Sequence, residues 1–446
     1  MSVLMRSISG IRGIVGDTLT PQVIISHVKA FLEVTGARHI VIGRDSRPTG
    51  DQIASFVSGF CRLCGVKVTD AGLATTPSTE LFVEHCKADG GIIITASHNP
   101  LEWNALKFLN AKGMFLGPDD VKKLFALADA ASFKYPDYKG MGAYEKLEDS
   151  DGIHIDGTIA IPFVDAAAIR KAKFKVAVDA VNGAGSYIVP RLLEKLSCTV
   201  VRVHCEPDGT FPRGPEPLPQ NLGDLQTAVK KNGCAVGFAV DPDADRCAIV
   251  DGTGKAIGEE YTLAISADEV LSQKKGSVCV NLSTSRMNED VAEKYGVEFS
   301  RAKVGEINVS LQMVQNKCII GGEGNGGVIL PVLHYGRDSL VAAALVLTWM
   351  AHHGGGPEKY VAENPRYVMP KKKFALGKKP VAEILESVRG DFKDWTADTR
   401  DGLWLGKGKS WVHVRSSNTE PVIRVISEAP TETEAEELCV RVEKHI

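Results

Sequence analysis

The sequence carries no large charge of one sign. Its 446 residues hold 52 Lys and Arg against 55 Asp and Glu, a net charge of −3, with a pI near 6.4. That balance excludes a strongly basic nucleic-acid binder and leaves no bulk attraction to anionic membranes. Long apolar runs are also missing. The longest, about Leu340 to Ala351, is well short of the roughly 20 residues that a spanning helix needs. The first residues, MSVLMRSISGIRG, contain no apolar signal core. No disulfide grid is legible either: the ten cysteines sit in apolar or ordinary contexts, as at Cys234, Cys279 and Cys318. The expectation is reduced thiols in a cytoplasmic protein. Cys61 and Cys64 form a C-x-x-C, but no second ligand pair follows at zinc spacing, so both read as core residues.

What is present is ordinary globular composition, 44% hydrophobic and 24% charged. The length predicts three or four domains. The 44 glycines, about one residue in ten against a usual ~7%, punctuate the whole chain. Short apolar runs alternate with helical periodicity. His39–Gly43 reads as a strand before a polar loop, Arg44-Asp45-Ser46-Arg47-Pro48, and a helix over 51–64. The theme returns at 175–178 with a helix near 186–196, and at 277–280 with a helix near 287–295. Such alternation predicts α/β units around mostly parallel or mixed sheets. Polar stretches at 134–158, 251–260 and 363–373 are the candidate boundaries, and the lysine run in the last reads as a solvated linker face. An alternating segment at 411–427 and an acidic closing helix suit an α+β end domain.

Four motifs could carry chemistry. Thr95-Ala96-Ser97-His98-Asn99-Pro100 follows the apolar run Gly91–Ile94; a serine at the exit of a buried strand is placed to enter a crevice. His98 and Lys107 are candidates for proton transfer or charge stabilisation. The motif is not a nucleophile elbow, because G-x-S-x-G is absent. Asp241-Pro242-Asp243-Ala244-Asp245-Arg246 follows the apolar segment Ala235–Val240. Alternate residues of a strand lie ~6.5–7 Å apart, too far for one small cation, so this segment should curl into a loop. Its oxygen ligands favour Mg²⁺ over zinc. It is no EF-hand, having Arg246 and Gly252 at the loop's sixth and twelfth positions. Gly321-Gly322-Glu323-Gly324-Asn325-Gly326-Gly327 offers donors and acceptors suited to sugar hydroxyls, although such a loop reads equally as a tight turn. Arg415-Ser416-Ser417-Asn418-Thr419-Glu420-Pro421, with Arg424 beyond, collects cationic, hydroxyl and amide groups fit for a phosphate.

The four motifs in this order, together with Ser9-Gly10-Ile11-Arg12-Gly13, resemble the α-D-phosphohexomutase family over nearly the whole chain. The resemblance implies a four-domain, heart-shaped α/β enzyme with a central active-site cleft: three related α/β domains and a smaller C-terminal α+β domain. The implied boundaries are 1–153, 154–254, 255–367 and 368–446, with one loop from each domain reaching the cleft. It implies reversible transfer of phosphate between the 1- and 6-positions of a hexose through a phosphoserine and a hexose 1,6-bisphosphate, which also serves as activator.

By the same resemblance, Ser97 is the phosphoserine, and Asp241, Asp243 and Asp245 hold Mg²⁺ with its phosphate. Arg12, Lys107 and Arg246 support transfer, with Lys107 a general acid/base candidate. Lys303 matches a third-domain lysine near substrate, Glu323 and Asn325 match sugar contacts, and Arg415, Ser417, Asn418 and Thr419 match the phosphate grip. Many bacterial members carry Glu-x-Ser-Gly-His in the sugar loop; here Asn325 and Gly327 replace Ser and His. The Gly-Asn-Gly-Gly form resembles phosphoglucosamine mutases, with phosphomannomutase/phosphoglucomutase the alternative. The expected partner is a hexose phosphate, with neither nucleic acid nor membrane, in a monomer or homodimer. A metal-dependent sugar-phosphate phosphatase and a silent sugar-phosphate binder are the rival classes. Asn182-Gly-Ala-Gly185 lacks the G-x-G-x-x-G spacing of a dinucleotide site.

Overall fold

The computed structural model describes residues 3–130, 135–377, 379–416 and 422–446. Its backbone forms four sheets in chain order. The first has seven strands. Gly90–Ile94 lies at its centre, buried along its whole length, parallel to His39–Arg44 and antiparallel to Trp103–Asn110. Strands of this kind, apolar on both faces, need cover on both sides; helices Pro21–Thr35, Gly50–Leu63 and Thr76–His85 follow or precede them in sequence.

The second and third sheets have four strands each. In the second, Lys175–Asp179 pairs in parallel with Thr199–Val203 and Val236–Val240, and Cys247–Asp251 closes the edge antiparallel. The third repeats that plan: Val278–Asn281 is parallel to Phe299–Ala302 and Ile320–Glu323, and Gly327–Ile329 is the antiparallel edge. In both sheets a functional loop therefore lies in the hairpin between the last parallel strand and its antiparallel neighbour. The fourth sheet is wholly antiparallel, with five strands backed by helices Val381–Asp391 and Glu432–Glu443.

The second and third sheets share one apolar core. Helix Ser339–His353 runs through it and is buried on every side from Ser339 to Met350. The apolar run at 340–351 is thus a core helix, as expected of a helix without a polar face. Asp338 caps it, Oδ1 accepting from the Leu340 N–H at 2.8 Å and the Val341 N–H at 3.3 Å. No described helix is long and apolar enough to cross a membrane, and all ten cysteines are free thiols.

Two sequence expectations need correction. The segment at 134–158 is not only a connection: Tyr144–Lys146 adds a parallel strand to the first sheet beside Lys67–Leu73, and Ser150–Ile159 is a helix capped by Asp149. Its strand residues are exposed on an edge, so no apolar periodicity announces it. The lysine run is a strand and not a linker, although Lys371 and Lys373 are exposed. Lys371–Ala375 is an edge strand of the fourth sheet, with Lys371 Nζ 2.8 Å from Glu259 Oε1 and Lys372 Nζ 2.5 Å from Glu436 Oε2.

Candidate active site

Ser97 leaves the central strand of the first sheet in the left-handed region, at φ 49°, which a non-glycine residue adopts only when its surroundings insist. The surroundings are explicit. Arg47 Nη2 donates to the carbonyl oxygens of Ser97 and Asn99, each at 2.6 Å. Arg47 Nη1 donates to Pro100 O at 2.6 Å and Trp103 O at 3.0 Å. Its Nε faces Asp45 Oδ2 at 3.2 Å, and Thr95 Oγ1 donates to the same carboxylate oxygen at 2.5 Å. All five guanidinium N–H groups are used to shape the serine loop.

That loop holds Ser97 Oγ 3.2 Å from Asp241 Oδ2 and 3.2 Å from His98 Nδ1. The carboxylate belongs to the loop after strand Val236–Val240, which curls as expected, with Ala244 at φ 53°. Oxygens of Asp241, Asp243 and Asp245 all lie within 4.8 Å of one another, and all three residues are buried. Asp243 Oδ2 accepts from Lys107 Nζ at 2.7 Å and Thr76 Oγ1 at 2.8 Å. Asp243 Oδ1 and Asp245 Oδ1 are buried without a hydrogen-bond partner, which is costly unless a cation joins them. This three-carboxylate set therefore fits a hard divalent cation.

The electrostatics follow from burial and neighbours. Burial, with Asp245 and Asp243 alongside, holds Asp241 well above the usual carboxylate range. Burial acts the same way on Asp243, but the Lys107 ammonium overrides it and keeps that carboxyl low. Burial lowers Lys107, and Asp243 and Asp245 more than restore it, so the ammonium is charged and its pKa raised. In this arrangement Lys107 is a charge stabiliser and proton donor before it is a base. Burial and the guanidiniums of Arg246 and Arg12 push His98 down to about 2. Its imidazole is therefore neutral, which removes the imidazolium as a proton donor and leaves His98 as a hydrogen-bonding partner of Ser97.

A cavity of about 390 Å³ opens over these groups. Ser97 and Lys107 from the first sheet region line it, as do Asp245 and Arg246 from the second, Glu323 and Asn325 from the third, and Arg415 and Arg424 from the fourth. A contiguous space of about 540 Å³ is bounded by Arg12, His98, Lys371 and Arg424. Arg12 Nη1 donates to Asn99 Oδ1 at 2.5 Å, and Arg246 Nη1 to Glu216 Oε1 at 2.6 Å. Glu323 Oε1 accepts from Asn281 Nδ2 at 2.7 Å and the Gly305 N–H at 2.9 Å.

Most of the expected residues converge here. Lys303 does not: it is exposed, and the wall of the cavity passes instead through Val304, Gly305 and Glu306. Strand Phe299–Ala302 ends one residue earlier, so Lys303 sits on the turn that follows it. Ser417, Asn418 and Thr419 lie outside the described residues. Several residues went unnoticed in the sequence: Asp45 and Arg47, Thr76, Glu216, Glu306 and Arg337. The Asp-Ser-Arg-Pro loop after the first parallel strand, His39–Arg44, was the available signal for the first pair. Glu306 lies three residues beyond Lys303, and Thr76, Glu216 and Arg337 belong to no motif, so only the fold brings them in.

The chain matches four family profiles in succession. They are phosphoglucomutase/phosphomannomutase alpha/beta/alpha domain I over residues 5–135, domain II over 154–254, domain III over 259–367, and the C-terminal domain over 372–445. A phosphoglucomutase/phosphomannomutase of Thermococcus kodakarensis is 36% identical over 438 residues, covering 96% of this chain and 95% of that protein. A relative from Methanopyrus kandleri, named a probable phosphoglucosamine mutase, is 32% identical over 434 residues, covering 96% and 95%. The crystal structure of a phosphoglucomutase/phosphomannomutase family protein from Burkholderia thailandensis superposes with a TM-score of 0.86 at 26% identity, covering 99% of this chain and 97% of that one.

Fold and site together define a phosphoryl-transfer enzyme built from three α/β domains and an α+β domain. The chain belongs to the α-D-phosphohexomutase family, whose members are intramolecular phosphotransferases of the isomerase class.

Proposed function

We propose that this chain moves phosphate between the 1- and 6-positions of a hexose through phosphoSer97 and a hexose 1,6-bisphosphate, with glucosamine phosphate as its first substrate. The observation that carries the reading is Ser97 Oγ, 3.2 Å from Asp241 Oδ2 at the wall of a cavity to which all four domains contribute. Asp241, Asp243 and Asp245, with the Ser97 phosphate, would hold Mg²⁺, which supplies charge neutralisation to the transferring group.

The chain's own groups do the rest. The Ser97 Oγ–phosphorus bond breaks as a bond forms from phosphorus to the free hydroxyl oxygen of the bound monophosphate. Negative charge builds on the leaving Ser97 Oγ, and the Lys107 ammonium and the Arg12 guanidinium are the nearby cations that stabilise it; the proton that the hydroxyl loses ends on Ser97 Oγ, which is left as the neutral serine hydroxyl. The bisphosphate turns over in the cleft, and its other phosphate returns to Ser97 by the reverse step. Arg415 and Arg424, with Ser417, Asn418 and Thr419, grip whichever phosphate is not reacting. Glu323 and Asn325 meet ring hydroxyls in both orientations, the long Asn325 Nδ2 to Glu323 Oε2 contact of 3.4 Å being the one that yields to a sugar.

The Methanopyrus relative's name supports an amino sugar. The more similar Thermococcus relative's name supports glucose and mannose phosphates as a second reading. Rates with glucosamine, glucose and mannose 6-phosphates, each with its 1,6-bisphosphate, separate the two. Ser97→Ala should abolish isomerisation with an unchanged melting curve, and intact mass should show one phosphate on the wild type and none on the variant. Near-wild-type isomerisation by Ser97→Ala would overturn the phosphoserine route. Stoichiometric release of inorganic phosphate instead of isomerisation would make the protein a phosphatase.

A further inference from the structure

Arg337 belongs to none of the motifs. It lies between the edge strand Gly327–Ile329 and the core helix, and its side chain is buried at the cavity wall. Its guanidinium reaches three carboxylates on three separate segments. Nε donates to Glu306 Oε2 at 2.9 Å, Nη1 to Glu323 Oε2 at 2.7 Å, and Nη2 to Asp245 Oδ2. One guanidinium thus ties the carboxylate loop of the second domain to the sugar loop of the third.

The path it takes depends on Gly327. A Cβ at that position would stand 2.3 Å from Arg337 Cδ and 2.9 Å from Cγ, distances that no pair of carbons tolerates. This is the position at which many bacterial members of the family carry His. Here position 327 has no side chain, and the buried guanidinium of Arg337 supplies a polar, cationic group at the same wall of the cleft.

The hydrogen bonds that Glu323 and Arg337 make decide what each can still offer. Glu323 has about four acceptor positions, and four donors occupy them: Asn281, Gly305, Arg337 and, at 3.4 Å, Asn325. Arg337 has five N–H donors and spends three. Two remain on a group at the wall of the cavity.

We propose that Arg337 is a substrate-contacting residue of this site: its two remaining N–H groups donate to ring hydroxyls of the bound hexose phosphate, from a side chain whose path the missing Cβ at 327 permits. Glu323 and Glu306 orient it. The inference rests on the hexose-phosphate reading given above and adds the residue that reads the sugar.

The test is a double-substitution cycle on glucose 1-phosphate with glucose 1,6-bisphosphate, repeated with the 3-deoxy and 4-deoxy sugars. Gly327→Ala keeps the arginine but displaces it, and should lower kcat/KM at least about tenfold. Arg337→Ala should do the same, and adding Gly327→Ala to it should change kcat/KM by no more than about twofold, because the Cγ and Cδ that a Cβ at 327 would strike are gone. Arg337→Ala leaves three buried carboxylates unbalanced and can fail to fold. Arg337→Lys keeps the charge and loses the fork, and its penalty should fall to within about twofold of wild type on at least one deoxy sugar. Equal penalties of Arg337→Lys on all three sugars, or an undiminished Gly327→Ala effect in the Arg337→Ala background, would overturn the inference while leaving mutase activity established. Absence of isomerisation by the wild type on every hexose phosphate would instead defeat the reading beneath it.

Discussion

The guanidinium of Arg47 donates to the carbonyl oxygen of Ser97 at 2.6 Å, from a loop fifty residues earlier in the chain. The nucleophile's backbone is therefore held by a side chain that never reaches the cavity. Because Ser97 sits at positive φ, the loop needs this external support.

Arg47→Lys should accordingly cost rate more than binding. Lysine supplies three donors where arginine supplies five, so at least two of the five acceptors it serves, four carbonyls and the Asp45 carboxylate, lose their partner. A displacement of about 1 Å at a reacting atom is worth about a hundredfold in rate. The expected outcome is a fall in kcat of that order with KM changed only a few-fold, read by steady-state kinetics. Slower transfer of labelled phosphate from the bisphosphate to Ser97 would place the defect at the nucleophile.

Asp243→Asn tests the acidic loop. The substitution removes the charge that sits 2.7 Å from Lys107 Nζ and one of the three carboxylates. Burial then acts on Lys107 with less opposition, so its pKa falls. Activity at saturating Mg²⁺ should drop at least about a hundredfold, and the Mg²⁺ concentration for half-activity should rise. An unchanged Mg²⁺ dependence would remove Asp243 from the metal set.

Asp338→Asn tests a buried cluster beside the site. Asp338 Oδ2 accepts from His154 Nε2 at 2.8 Å and His334 Nε2 at 3.0 Å, while Oδ1 caps the core helix. Burial opposes ionisation, but the two histidines and their hydrogen bonds hold this carboxyl below its usual range. A carboxyl depressed on folding contributes stability above its unfolded pKa of about 3.9, and that contribution is lost as pH falls below it. The variant should melt at least several degrees lower at pH 7, and the gap between variant and wild type should narrow as pH drops from about 4 towards 3. A gap independent of pH would show that the charge is not what matters.

How much was legible in the sequence can be argued from these same residues. Ser97 and the three aspartates announce themselves because each loop leaves an apolar strand, and local pattern is what a sequence displays. The parallel strands at 39–44, 175–179 and 278–281 were legible for the same reason. Arg47, Glu306 and Arg337 were not: each acts across a loop or domain boundary, and its partners are distant in the chain. Tyr144–Lys146 escaped notice because an exposed edge strand carries no apolar alternation. The lysine run misled because three lysines in a row look like a linker; Lys371 and Lys373 are exposed, but on one face of an edge strand paired with Val422–Glu428.

Lys371 makes that last point measurable. Its ammonium lies 2.8 Å from Glu259 Oε1 and 3.6 Å from Glu260 Oε1, so it pins the edge strand of the fourth domain to the third domain beside the cavity. Burial raises Glu260 to about 8, against the pull of Lys371 in the other direction. Lys371→Met removes that pull, so Glu260 should stay protonated to still higher pH. The ion pair is partly exposed, and such pairs are worth at most about 1 kcal/mol, so the melting temperature should move little. The substrate's phosphate, however, loses a cation bounding its approach and a tether on the domain that carries Arg415 and Arg424. The expected result is a several-fold rise in KM with kcat nearly constant, larger at 20 mM than at 200 mM salt, since screening weakens the lysine's contribution in the wild type. A rise in KM that ignores salt would mean that the strand, and not the charge, was disturbed.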